Sequence, residues 1–269
     1  MPRLTRVESS AGATPVNAYL VEGDDCVVVI DGTLTVSGGR ALRERVAATG
    51  KPLAAVILTH AHPDHYGGAG EVVAGSDAPI VAAAGVDAVI RRDDALKEEI
   101  LRPMFGDEWP RERAFPTQLV DDGAELRFGD IELTVDELGP GESHHDTVWS
   151  LAGGTNVFSG DQAYNHMHSY LADGHWEQWL RNIDTLSAEL QRDTVLHPGH
   201  GEPGGIDLLA WQRAYIERFV DAVGSADWEH EDRAKAAIAA AMADFLPTEQ
   251  LRFLMELSIE PVAAELGVR

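Results

Sequence analysis

Leu53-Ala54-Ala55-Val56-Ile57-Leu58-Thr59-His60-Ala61-His62-Pro63-Asp64-His65-Tyr66-Gly67-Gly68 joins six consecutive apolar residues almost directly to three histidines and an aspartate. The unbroken apolar run reads as a strand buried on both faces, which places the histidines at its C-terminal end. In an extended chain alternate side chains share a face, so His60 and His62 can converge on one cation. Pro63 helps hold His62 extended, because a residue before proline is steered away from the helical region. Past the proline the chain turns, and Asp64 and His65 address a second position nearby. Gly67-Gly68 removes side-chain bulk where a helix must begin close to the site. One heptapeptide can therefore furnish ligands for two cations.

Working outward, Asn17–Val21 and Cys26–Ile30 read as strands, the second ending at Asp31-Gly32, and Gly39–Thr49 reads as a helix that stops at Gly50. Strand, helix, strand in this order indicates an α/β layered fold. Ala69–Ala74 and Gly85–Arg92 read as helices around a short strand, Pro79–Ala82. The stretch 93–116 mixes Met104, Phe105, Trp109 and Phe115 with Arg102, Arg111, Arg113 and three prolines, and it fits neither period. It is expected to be a surface excursion at the mouth of a pocket or an oligomer contact. Strands follow between Gln118 and Phe158. A helix from Trp176 to about Leu190, with Trp176, Trp179 and Leu180 in the core, precedes a strand at Thr194–Leu196 and helices from Ile206 onward.

The 269 residues carry 21 Lys+Arg against 45 Asp+Glu, a formal net charge of −24. A surface so negative repels phosphate backbones and anionic lipid, so neither nucleic acid nor membrane is an expected partner. Cys26, the single cysteine, sits in an apolar run and reads as a small buried hydrophobe. The N-terminal segment lacks the apolar core of a secretory signal, and the expectation is a cytoplasmic protein acting on a small molecule. A homo-oligomer is left open.

Thr59–Gly68 resembles the HxHxDH signature of the metallo-β-lactamase superfamily. Val29-Ile30-Asp31-Gly32, Phe158-Ser159-Gly160-Asp161 and His197-Pro198-Gly199-His200-Gly201 are similar to its early strand, its bridging-aspartate motif and its last-histidine motif. The resemblance spans roughly residues 15–205 and implies an αββα sandwich. A catalytic domain over 1–205 would carry a C-terminal helical extension, 206–269, packed on it. By resemblance, His60 and His62 bind a first metal, Asp64, His65 and His200 a second, and Asp161 bridges both, with Asp64 and Asp161 the catalytic carboxylates. His197 is expected to pack or to orient a ligand, and His168 to orient a ligand or touch substrate.

One motif departs from the pattern. Many members read Gly-Pro-Gly-His-Ser at the third ligand of the first metal, whereas this chain has Gly139-Pro140-Gly141-Glu142-Ser143-His144-His145-Asp146. A gapless reading puts Glu142 at that position, and a shift of two or three residues would put His144 or His145 there. The alkyl sulfatase branch is similar in using glutamate here, and carboxylate oxygen and imidazole nitrogen are both zinc donors. The added oxygen donor admits manganese or ferrous iron beside zinc. What the resemblance implies is a pair of divalent ions with a bridging hydroxide, hydrolysing an ester, lactone, amide or thioester. The alternatives are an alkyl sulfatase-like hydrolase and a persulfide dioxygenase holding one iron.

Overall fold

The computed structural model describes residues 2–11 and 14–269. Two six-stranded sheets lie face to face. The first runs in chain order through β1 (Arg3–Ala11), β2 (Thr14–Glu22), β3 (Val27–Ile30), β4 (Leu53–Ile57), β5 (Ile80–Ala83) and β6 (Gln118–Val120), antiparallel up to β3 and parallel from there. The second contains β7 (Glu125–Phe128), β8 (Ile131–Gly139), β9 (Asp146–Leu151), β10 (Asn156–Tyr164), β11 (Val195–His200) and β12 (Gly204–Gly205), in reverse chain order from one edge to the other. Over the first sheet lie α1 (Val36–Ala48), α2 (Pro63–Tyr66), α3 (Ala69–Val73) and α4 (Ala84–Phe105). Over the second lie α5 (Trp176–Glu189), α6 (Asp207–Gly224), α7 (Glu231–Phe245) and α8 (Arg252–Glu265). The result is an αββα sandwich with C-terminal helices.

Apolar residues divide between three layers by the two-residue period of a strand. Val27 and Val29 of β3 and Val56 of β4 pack toward α1, α3 and α4, whereas Val28, Ile30, Ala55 and Ile57 point into the space between the sheets. There they meet Val135, Trp149 and Phe158 of the second sheet. This double burial is why β3 and β4 read as continuous apolar runs. On the far side, Val148, Val157 and Leu196 share one cluster with Trp179, Ile216, Phe219, Met242, Met255 and Ile259. The C-terminal helices thus share a core with the second sheet. Cys26 is buried, its thiol donating weakly to the Phe128 carbonyl at 3.4 Å.

Two elements differ from the sequence expectation. β1, not anticipated, pairs with β2 along its whole length. The segment 93–105 is not an irregular excursion, because it is the later part of the 22-residue α4, which stops at Gly106, where φ is +55°. Its composition misleads because only one side packs: Val86 and Ile90 enter the core, while Asp94, Glu98 and Arg102 hold the returning chain. Trp109 is fully buried rather than at a mouth, and its indole N–H donates to Glu98 at 2.8 Å. Arg102 donates to the carbonyls of Gly106, Trp109 and Pro110, Arg113 pairs with Asp94 and Glu98, and Arg111 pairs with Asp107. Met104 and Phe105 of this stretch do line a pocket, the one that also borders His62 and Asp64, whereas none of the three arginines does.

Among the described residues, no helix is long and apolar enough to cross a membrane. A close approach in the first half brings the loop after β3 onto α3: Gly32 N–H donates to the His65 carbonyl at 2.6 Å, and a Cβ on Gly32 would lie 2.7 Å from the Ala69 backbone. Gly32→Ala is expected to lower stability by about 1–3 kcal/mol, because backbone rather than a flexible side chain would have to yield. Urea denaturation checks this as a lower midpoint at unchanged slope.

Candidate metal centre

Four chain segments build the site. His60 and His62 follow β4, and Asp64 and His65 sit in the short α2 begun by Pro63. Asp161 belongs to β10, His200 ends β11, and Glu142 lies in the turn between β8 and β9. That turn is pinned to the end of β4: Thr147 donates to the Thr59 carbonyl through both its N–H, at 3.0 Å, and its hydroxyl, at 2.7 Å. Within the turn, Asp146 accepts from the Ser143 hydroxyl at 2.7 Å and from Gln162 at 2.9 Å. The His200 loop is clasped to the other sheet. Asn17 donates to the carbonyls of Pro198 and Gly201, and Tyr19 donates to that of Pro198.

Two groups of side chains result, each with donor atoms within 4.8 Å of one another: His60, His62, Glu142 and Asp161, and Asp64, His65 and His200. Asp161 lies between them. Its Oδ2 stands 3.9 Å from His60 Nε2 and 3.2 Å from His200 Nε2, and its Oδ1 stands 3.5 Å from His65 Nε2. Glu142 Oε2 is 2.9 Å from His62 Nδ1 and 3.7 Å from His60 Nε2. The structure therefore brings Glu142 to the first group, in the gapless register. His144 and His145 turn away from it, His144 contacting His175 at 2.8 Å and His145 contacting Glu137 at 2.6 Å while packed over Gly85. His168 is buried outside the cavity, between the Tyr215 hydroxyl at 3.0 Å and the Thr248 carbonyl at 3.1 Å. It anchors the segment that leads into α8. His197 packs between Tyr19 and Phe158 and bonds Asn156.

The donor set fits divalent cations because each inward nitrogen has its opposite ring nitrogen held from behind. His65 Nδ1–H donates to Asp31 at 2.8 Å, and His60 Nδ1–H donates to the Thr59 hydroxyl at 3.0 Å, whose own proton goes to Asp31. His200 Nδ1–H donates to the Pro15 carbonyl, and His62 Nε2–H donates to Asp173 at 3.2 Å. Such outward bonds fix the tautomer and leave a lone pair pointing inward, as metal-ligating histidines require. Correspondingly, His60 Nε2, His65 Nε2, Glu142 Oε2 and Asp161 Oδ1 are buried with no hydrogen-bond partner among the described residues. Buried polar atoms left this way are costly unless a ligand meets them.

Without an ion, protons carry the balancing charge. Burial opposes charging of His62, His65 and His200, yet the carboxylates facing them raise all three, His200 to about 10. Burial and the neighbouring His65 push His60 down. Burial also pushes Glu142 up to about 8 and Asp146 up to about 6. At Asp64 and Asp161 the facing histidines outweigh burial and hold both carboxyls below the usual range.

Tyr164 and Asp173 belong to the site but were not singled out from sequence. The Tyr164 hydroxyl is 2.8 Å from both Glu142 Oε1 and Asp161 Oδ2, and its ring stacks on His200. Three residues past Asp161, it would face away in a regular strand. Register shifts along β10, with Gly160 at φ +49°, bring both side chains to one side. A cavity of about 410 Å3 opens over the cluster.

The sequence profile of the metallo-beta-lactamase superfamily matches residues 11–200. This chain belongs to that superfamily. An uncharacterized protein of Mycobacterium tuberculosis is 29% identical over 206 residues, 71% of this chain and 88% of that protein. An (R)-specific secondary-alkylsulfatase of a Pseudomonas species is 35% identical over 79 residues, 29% of this chain and 12% of the sulfatase, so the chain spans only a small part of that relative. A solved beta-lactamase domain protein from Burkholderia ambifaria superposes with a TM-score of 0.70 at 19% identity, over 97% of this chain and 84% of that one, a likeness of fold.

Two outcomes are expected of this superfamily member's cluster. Glu142→Ala should lower metal content by elemental analysis, whereas His144→Ala and His145→Ala should leave it intact; the reverse pattern would remove Glu142 from the ligand set. Metal uptake should release protons at neutral pH, because the groups with raised pKa values hold them there and must lose them to coordinate, so apparent affinity should rise with pH. Titration calorimetry in buffers of different ionisation enthalpy measures that release.

Proposed function

We propose that this chain is a metal-dependent hydrolase of small-molecule esters, lactones, amides or thioesters, holding two divalent ions. The observation that carries the reading is the convergence of seven ionisable side chains, with Asp161 between the two groups, at the end of a cavity. His60, His62, Glu142 and Asp161 would hold one ion, and Asp64, His65 and His200, with Asp161, the other. Zinc suits this mixed nitrogen and oxygen set, and manganese or ferrous iron are accommodated by its three carboxylates. Bound there, such ions supply an activated water and polarise the oxygen of the scissile group.

The chain's own residues do the remainder. Asp31, Thr59, Asp173 and the Pro15 carbonyl hold the imidazoles in one tautomer and orientation. Tyr164, whose pKa burial and the adjacent carboxylates raise well above the ordinary value, stays protonated at neutral pH. It has one proton for two carboxylate acceptors, so it holds Glu142 and Asp161 together without quenching both. The net charge of −24 disfavours nucleic acid, and a small-molecule substrate in a cytoplasmic setting is part of the reading.

A second reading, hydrolysis of a sulfate ester, is favoured by Glu142 beside His60 and His62 and by the similarity to the alkylsulfatase. Zinc-, manganese- and iron-reconstituted protein should be assayed against ester, lactone, amide, thioester and alkyl sulfate panels. Hydrolysis that is lost with chelator and restored by metal, at two ions per chain, is expected. Asp173→Ala should weaken metal affinity or activity by about 10–100-fold, since Asp173 orients His62. One tightly held iron with oxygen consumption on a persulfide would replace the hydrolase reading with a dioxygenase.

A further inference from the structure

We infer that the substrate carries an apolar tail, and that α4 and α8 form the trough that receives it; the inference deepens the hydrolase reading and rests on it. The cavity has two chemically distinct parts. At one end stand the metal-ligand cluster and Tyr164. The walls beyond it come from two helices, with Ile100 and Met104 on α4 and Phe253 and Leu257 on α8.

These four side chains are 48%, 66%, 37% and 59% exposed, values unusual for large apolar groups. They are not scattered. Ile100 and Met104 stand four residues apart on α4, as do Phe253 and Leu257 on α8, so each helix turns an apolar stripe toward the same cavity. Apolar stripes that continue from a polar reaction site are dehydrated by a ligand that spans both, which identifies the occupant as part of the substrate. Apart from the cluster's own His62 and His200, Lys97 is the one basic side chain among the described residues lining the cavity, and the α4 and α8 residues around it are apolar. A cavity of about 410 Å3 is of the size that takes a small molecule with a head group and a tail. α8 lies beyond residues 11–200, where the superfamily profile matches, so this wall belongs to the chain's C-terminal part.

The test is a p-nitrophenyl ester series from acetyl to dodecanoyl on metal-loaded enzyme, with 1-octanol titrated into metal-free protein by calorimetry as a readout independent of turnover. kcat/KM should rise about three-fold per methylene toward the octanoyl ester, chiefly through KM, and 1-octanol should bind saturably with a negative heat-capacity change. Met104→Gln and Leu257→Gln, both at exposed positions, should cut the octanoyl-to-acetyl ratio at least about ten-fold and weaken 1-octanol binding. Leu119→Gln, an exposed apolar residue on β6 outside the cavity, should change neither. Hydrolysis with a flat chain-length profile would overturn the tail inference and leave the hydrolase reading standing. Saturable 1-octanol binding that the two trough variants abolish, with none of the ester, lactone, amide, thioester or alkyl sulfate panels hydrolysed, would sink the hydrolase reading instead. A flat profile accompanied by a fall in mass by light scattering in the trough variants would make this surface a contact between copies and overturn the inference.

Discussion

The carboxylate of Asp31 is the contact on which the metal-binding half of this protein depends. Its Oδ1 accepts from the Thr59 N–H at 2.9 Å, and its Oδ2 accepts from the Thr59 hydroxyl at 2.9 Å and from His65 at 2.8 Å. One side chain at the end of β3 thereby sets the end of β4 and the start of α2. The backbone bears strain to deliver it: Asp31 and Thr33 lie at φ +62° and +63°, a region that β-branched residues avoid. Such strain persists only where the surroundings determine it, here through Gly32 and Gly68 packed against neighbouring backbone.

From that anchor follows the electrostatic character of the site. Several carboxylates and imidazoles are gathered out of water, a costly arrangement unless each charge meets its complement. Hydrogen bonds on the outer side of every histidine consume one ring nitrogen and aim the other at the centre. Of the inward atoms, His60 Nε2, His65 Nε2 and Asp161 Oδ1 find no hydrogen-bond partner among the described residues, which suits a centre that a cation completes. Tyr164 tempers the repulsion between Glu142 and Asp161 by holding its one hydroxyl proton 2.8 Å from an oxygen of each.

The two sheets divide the work. The first brings His60, His62, Asp64 and His65 from the single crossing between β4 and α3, while the second brings Glu142, Asp161 and His200 from three separate strand ends. The contacts of Thr147 with Thr59 and of Asn17 and Tyr19 with the β11 loop bring these ends together. α4 and α8 then enclose the approach from opposite halves of the chain, with His168 tying the segment before α8 to Tyr215 of α6.

Much of this was legible in the amino-acid sequence because it depends on local spacing. Unbroken apolar runs marked β3 and β4 as strands buried on both faces, and Pro63 with Gly67-Gly68 shaped the turn after His62. The resemblance to a known family extended the ligand set to Asp161 and His200. The choice between Glu142 and the two histidines beside it was not legible, since a glycine-rich turn permits several registers. Tertiary packing decided it, through the Thr59–Thr147 contact and the pull of Glu137 and His175 on His145 and His144. Tyr164 was hidden because an irregular strand breaks the two-residue period. α4 was hidden beyond Arg92 because its outward apolar residues face a cavity rather than the core, and a hydrophobic pattern records burial without naming what will do the burying.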